Sequence, residues 1–163
     1  MLSHLYAYGT ETTTINKTTR DYINSSQNLL IRQIIVLNKY CKMTNVRKFL
    51  RIMDFEHLYI ISKLSFIQSI KTNEITMNIL NYLSHHHNDA SRTSKSFSND
   101  LNLIKKFLNL DIASIIAEPI KYRRNILHEF QDTENNGICE SINLCLENYR
   151  DLTHRRILNL LLY

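Results

Sequence analysis

Four groups of basic residues are the side chains in this 163-residue chain whose types and spacing could do chemistry. Lys42, Arg47, Lys48 and Arg51 fall across one short helical stretch and its lead-in, with 47, 48 and 51 on a face opposite Phe49 and Leu50. Lys105 and Lys106 form a second group. Lys121, Arg123 and Arg124, with Tyr122 among them, form a third, and Arg155 and Arg156 a fourth. Cations on a helix face turned away from a core neutralise phosphates, adding salt-dependent affinity that reads no base sequence. The plainer account of the same pattern is a solvated face with snorkelling side-chain stems. A formal net charge of +5 permits an anionic partner, nucleic acid foremost, without demanding one.

Other site chemistries find little support. His85, His86 and His87 are consecutive in a polar stretch, where three imidazoles do not easily converge on one ion, and no Cys or carboxylate pattern completes four ligands. The three cysteines, Cys41, Cys139 and Cys145, form no C-x-x-C pair, so they read as reduced core thiols and not as a zinc site or a disulfide frame. Asp and Glu occur singly, mostly at helix starts, where capping or the helix dipole accounts for them. Two glycines cannot build a phosphate-cradling loop, and there is no nucleophile elbow. The expectation is no metal, no cofactor and no self-contained active site.

These groups must be positioned by helices. Hydrophobic residues make up 44% of the chain, enough for a core, while two glycines and one proline are too few for the tight turns of a β-rich fold. The expectation is an all-α protein of about eight short-to-medium helices, in two halves joined by a polar loop. Residues 1–83 form the first helical region, 84–98 the loop "SHHHNDASRTSKSFS", and 99–163 the second region. No stretch approaches the roughly 20 apolar residues of a membrane span, and the opening lacks signal-peptide order. Together with the cysteine usage this places the chain inside the cell, where the sequons at Asn16 and Asn24 carry no meaning.

Along the chain, residues 3–10 read as the tail of an element ending at Gly9. Lys17 to Leu37 is helical, with Tyr22, Ile23, Ser26, Leu30, Ile34 and Leu37 on its buried face. Thr44 or Asn45 caps "NVRKFLRIM", and Asp54 caps "FEHLYIISKLSFIQSI", which is apolar almost all round and so belongs at the centre. A helix spans roughly Glu74 to Leu83. Ser98 or Asn99 opens "DLNLIKKFLNL", Asp111 opens a short helix to Ala117, and Pro119 suits the first turn of "PIKYRRNILHEF". "ICESINLCLENY" and "DLTHRRILNLLLY" close the chain, with Asp151 as a cap for the last.

In order and spacing, residues 2–70 resemble the segment downstream of the polymerase palm in reverse transcriptases of non-LTR (LINE-type) retrotransposons. Tyr8, Gly9 and Glu11 sit where that family has a tyrosine–glycine–acid triplet, Leu30 to Ile34 match the end of a long helix, and Leu50, Ile52, Leu58 and Tyr59 a later stretch. The resemblance implies a thumb and the helices that follow it, which grip an RNA–DNA template–primer duplex beside the palm. The palm's own signature, F/Y-x-D-D with an upstream metal-binding aspartate, does not occur in this sequence, so the chain is expected not to polymerise DNA. The same resemblance makes Met1 an internal methionine of a longer ancestral frame, with the palm as the missing partner. It implies sequence-independent contact through Lys42, Arg47, Lys48 and Arg51 and, as a second track, Tyr122, Arg123 and Arg124. The rival expectation is an independent helical protein–protein interaction module that buries an apolar groove.

Overall fold

A computed structural model describes residues 9–35, 37, 41–85 and 97–131. Tyr8, His86, His87, Cys139, Cys145, Arg155 and Arg156 lie outside the described residues, as do the two closing segments. The described residues form seven helices and no strand, so the chain is all-α. These are α1 (Lys17–Ile35), α2 (Met43–Phe49), α3 (Phe55–Ile70), α4 (Glu74–His85), α5 (Phe97–Leu108), α6 (Ile112–Ala117) and α7 (Pro119–Gln131).

Local chemistry explains most of the helix starts. Asn16 accepts the Thr19 N–H (2.8 Å), Asp54 the His57 N–H (2.9 Å) and Asp111 the Ala113 N–H (3.2 Å), each satisfying a donor that a first helical turn leaves without a partner. Pro119 opens α7, where its missing N–H costs nothing. Two helices depart from expectation. α2 begins at Met43, one residue before Thr44, and its N-cap Lys42 makes no side-chain cap bond. α5 begins at Phe97, whose ring meets Phe66 edge-on at 5.7 Å, so Ser98 sits buried within the first turn instead of capping it.

With few glycines, the helix ends use other residues. Arg51 (φ 53°) and Asn109 (φ 52°) adopt the left-handed conformation just past α2 and α5. After α2, the Arg51 N–H donates to the Lys48 carbonyl (3.1 Å) and the Ile52 N–H to that of Arg47 (2.9 Å), the paired closure of a Schellman end. Ile52 then packs against the cluster that holds Val46.

α3 is the axis of the fold. Ile60, Leu64 and Ile67 are at most 1% exposed and share one core with Leu80 of α4, Leu101 and Ile104 of α5, Ile112, Ile115 and Ile116 of α6, and Ile126 of α7. Each such burial contributes about 1.5–3 kcal/mol. Helices on both sides of the 84–98 stretch therefore feed a single core. α7 packs along α3 more extensively than any other pair. Lys71, at the end of α3, donates to the Ala117 carbonyl (2.6 Å) just before Pro119, so α7 starts where α3 ends and runs antiparallel to it. A second, smaller cluster joins Ile31 and Ile35 of α1 to Cys41, Met43 and Val46.

The face of α1 is the main correction. Tyr22, Leu30 and Ile34, expected inside, are 73%, 45% and 56% exposed, and Ile31 and Ile35 are buried instead. The reason is polar. The Phe55 N–H donates to Asn24 Oδ1 (2.7 Å), and Gln27 Nε2 donates to the Met53 carbonyl (3.0 Å). These amides dock α1 on the chain entering α3 and turn the helix by one residue's step, about 100°, from the face that apolar periodicity selects.

Candidate nucleic-acid interface

The first basic group is divided by the fold. Lys42, Lys48 and Arg51 are exposed, and no ion pair joins any of them to an acidic side chain among the described residues. Lys48 lies on the last turn of α2, Arg51 on the left-handed residue after it, and Lys42 at the opposite end. Arg47 leaves this set. Its side chain is 13% exposed, and its guanidinium lies 3.9 Å from Asp54 Oδ2. One of its terminal nitrogens, Nη1, is buried without a hydrogen-bond partner among the described residues.

Asp54 is what turns Arg47 inward. This carboxylate caps α3 and also meets His57 Nδ1 at 2.5 Å, while the His57 ring stands edge-on to Phe107 at 4.9 Å. Burial works to raise the Asp54 pKa, but hydrogen bonds from the His57 side chain and backbone, and the positive charges of His57 and Arg47, outweigh it and hold the carboxyl below its ordinary range. Arg47 thus braces α2 against the entry to α3, and Lys48 and Arg51 carry the outward charge.

The third group is divided in the same way. Arg123 and Arg124 are exposed on α7 with no ion partner among the described residues. Lys121 is held 2.6 Å from Glu118, which raises its pKa, and its ammonium lies 5.9 Å from the centre of the Tyr122 ring. Tyr122 itself is half-buried against the main core, so it contributes packing more than a stacking surface. In the second group Lys106 is exposed and Lys105 half-buried on α5. α2 belongs to the smaller cluster and α7 to the main core, so the two candidate tracks rest on different packing units.

One constellation has no counterpart in the sequence reading. Lys63 of α3 (0% exposed) lies 2.9 Å from Asp100 Oδ2, and Tyr59 donates to Asp100 Oδ1 at 2.6 Å. Thr14 donates to Asp100 Oδ2 (2.8 Å), the Ile15 N–H donates to the Tyr59 oxygen (3.0 Å), and Lys63 also donates to the Glu11 (3.1 Å) and Thr13 (2.9 Å) carbonyls. Lysine, tyrosine and carboxylate at such distances are acid–base groups. Here each is sealed from solvent, and the three protons of the ammonium are all engaged, so the arrangement is a clamp and not a reaction centre. It pins residues 11–15, the threonine-rich strap, onto α3 and α5. Burial first, and the Asp100 hydrogen bond second, push the Tyr59 hydroxyl well above its ordinary pKa. The available signal is Lys63 itself: a cation in the middle of a helix apolar almost all round needs a buried partner.

Upstream of the strap, Gly9 takes φ +78°, a left-handed turn that costs a residue with a Cβ more than it costs glycine. Among the described residues no group of three or more His, Cys, Asp or Glu could hold a metal ion, and no described helix is long and apolar enough to cross a membrane. No family model, curated protein or solved structure matches the chain.

Proposed function

We propose that this chain is the thumb-like, catalytically incomplete helical part of a retroelement RNA-directed DNA polymerase, and that it contacts a template–primer duplex without reading its sequence. The observation that carries this reading is the exposed set Lys42, Lys48 and Arg51 at the two ends of α2, unopposed by any described carboxylate. Arg47 supports it from behind by fixing α2 to Asp54. Arg123 and Arg124 on α7 make the second, separate track. Each phosphate contact adds affinity by releasing counterions, and none selects a base, as a surface that must tolerate every template requires.

The test is a comparison of variants on an RNA–DNA hybrid. Lys48→Ala/Arg51→Ala weakens binding equally for hybrids of unrelated sequence, and Glu118→Ala, which removes a surface charge away from α2, does not weaken it. Binding unchanged by Lys48→Ala/Arg51→Ala removes α2 from the account.

A second reading, an interaction module for another protein, is favoured by α4. Ile75, Ile79 and Tyr82 stand four and three residues apart and are 72%, 53% and 62% exposed, while Leu80 behind them is in the core. That spacing is the one by which a helix lays an apolar face against a partner.

A further inference from the structure

α1 lies with much of its polar side inward and its apolar side outward. Tyr22, Leu29, Leu30 and Ile34 are 73%, 56%, 45% and 56% exposed. Among the described residues, four buried side-chain atoms lack a hydrogen-bond partner, and three belong to the inward side of this same helix: Gln27 Oε1, Asn28 Oδ1 and Arg32 Nε. The fourth, Arg47 Nη1, belongs to the residue that pairs with Asp54, next in sequence to the Met53 that Gln27 holds. Apolar exposure and unsatisfied polar burial each cost free energy, and here both lie on one helix and share one remedy.

That remedy is a rotation of α1 by one residue's step, about 100°. Each inward place then passes to the preceding residue. Leu30 takes the place of Ile31, Ile34 that of Ile35, Ile23 that of Asn24 and Ser26 that of Gln27. Asn28 moves to the exposed place of Leu29 and Arg32 to that of Gln33, where water satisfies both. The rotation gives up three bonds: the Phe55 N–H to Asn24 Oδ1 (2.7 Å), Gln27 to the Met53 carbonyl (3.0 Å) and Arg32 to the Cys41 carbonyl (3.2 Å). Apolar burial favours one setting and side chain–backbone bonds the other, which brings the two close in free energy. α1 is also lightly anchored. Its buried residues, Ile31 and Ile35, belong to the smaller cluster and not to the main core.

We propose that α1 is a two-position helix. In the setting described here it presents Tyr22, Leu30 and Ile34 to solvent; in the other it buries them and presents Asn24, Asn28 and Arg32. A molecule that binds either exposed face shifts the balance by its differential affinity for the two settings. The inference is independent of the nucleic-acid reading.

Thiol labelling at position 28 tests it in the full-length chain, with peptide mapping to separate that site from the native cysteines. In the setting described here N28C is turned inward, and rotation brings it to solvent. Leu30→Gln/Ile34→Gln replaces two exposed side chains and so leaves this setting intact, but it places two amides inward in the other. Added to N28C, the pair slows labelling at residue 28 about tenfold or more. L29Q, at a position exposed here and rotated only to the partly exposed place of Leu30, leaves the rate nearly unchanged. Unchanged or faster labelling with Leu30→Gln/Ile34→Gln overturns the proposal, because detachment of the whole helix, or direct access through the seam, exposes residue 28 without burying 30 and 34. So does labelling of residue 28 no faster than the chain unfolds. A far-ultraviolet helical signal equal to the unmodified chain's verifies the fold of each variant.

Discussion

Lys63 on α3 and Asp100 on α5 form an ion pair of 2.9 Å in which neither side chain is more than 1% exposed. Around it every polar group is engaged: Tyr59 and Thr14 on the carboxylate, the Glu11 and Thr13 carbonyls on the ammonium. The pair therefore does in the interior what a surface salt bridge does not. It ties a strap 44 or more residues away in sequence to two helices, at a site where a one-sided loss leaves a charge with nothing to answer it.

Removing one partner is accordingly severe. Lys63→Met or Asp100→Leu alone costs about 3–5 kcal/mol, and the double variant costs less than the sum of the two, because no uncompensated charge is left behind. Urea unfolding of the three variants checks this. Additive costs contradict the coupling.

Tyr59 sets an alkaline limit. Its hydroxyl ionises less readily folded than unfolded, so its contribution is complete below the ordinary value of 10.0 and is lost as pH rises above it. Thermal melts of the unmodified chain fall more steeply above pH 10 than those of Tyr59→Phe. Parallel curves contradict the assignment.

Asp54 acts at the other end of the scale. Its carboxyl binds a proton less readily folded than unfolded, so its contribution is present above the ordinary value of 3.8 and decays as pH falls below it toward the lower folded value. Asn caps a helix about as well as Asp, so Asp54→Asn isolates the charge: it costs about 1 kcal/mol at neutral pH. The difference between the two proteins closes on acidification below 3.8. A gap that persists in strong acid rules the charge out as its source.

On the proposed nucleic-acid reading, Arg51 couples stability and binding with opposite signs. A left-handed residue with a Cβ costs about 1–2 kcal/mol relative to glycine, and Arg51 holds φ 53°. Arg51→Gly raises the unfolding free energy by about 1 kcal/mol while weakening binding to the RNA–DNA hybrid. A variant that is both more stable and equally tight shows that Arg51 makes no phosphate contact.

Local signals make much of this fold legible in the sequence. Asp54 and Asp111 cap where their neighbours imply, Pro119 opens a helix, and the all-round apolarity of 55–70 marks the central helix. What stays hidden depends on distant partners. Periodicity misorients α1 because Asn24 and Gln27, ordinary surface residues by type, bond to backbone 26 or more residues away. Arg47 reads as an outward cation because nothing local shows that Asp54, seven residues on, folds back toward it. Asp100 passes for a helix-start carboxylate because its partner Lys63 lies on another helix. Apolar periodicity finds helices; it does not say which polar side chains will bind the backbone of another element.

The most direct test of the nucleic-acid account is the salt dependence of binding. The purified full-length chain is titrated against a labelled RNA–DNA hybrid at several salt concentrations, and log affinity is plotted against log salt. Engagement of Lys42, Lys48 and Arg51 predicts a steep negative slope that becomes shallower by about one for each of these residues changed to alanine. A folded, monomeric sample that fails to bind at low salt, or binds with no salt dependence, contradicts the account.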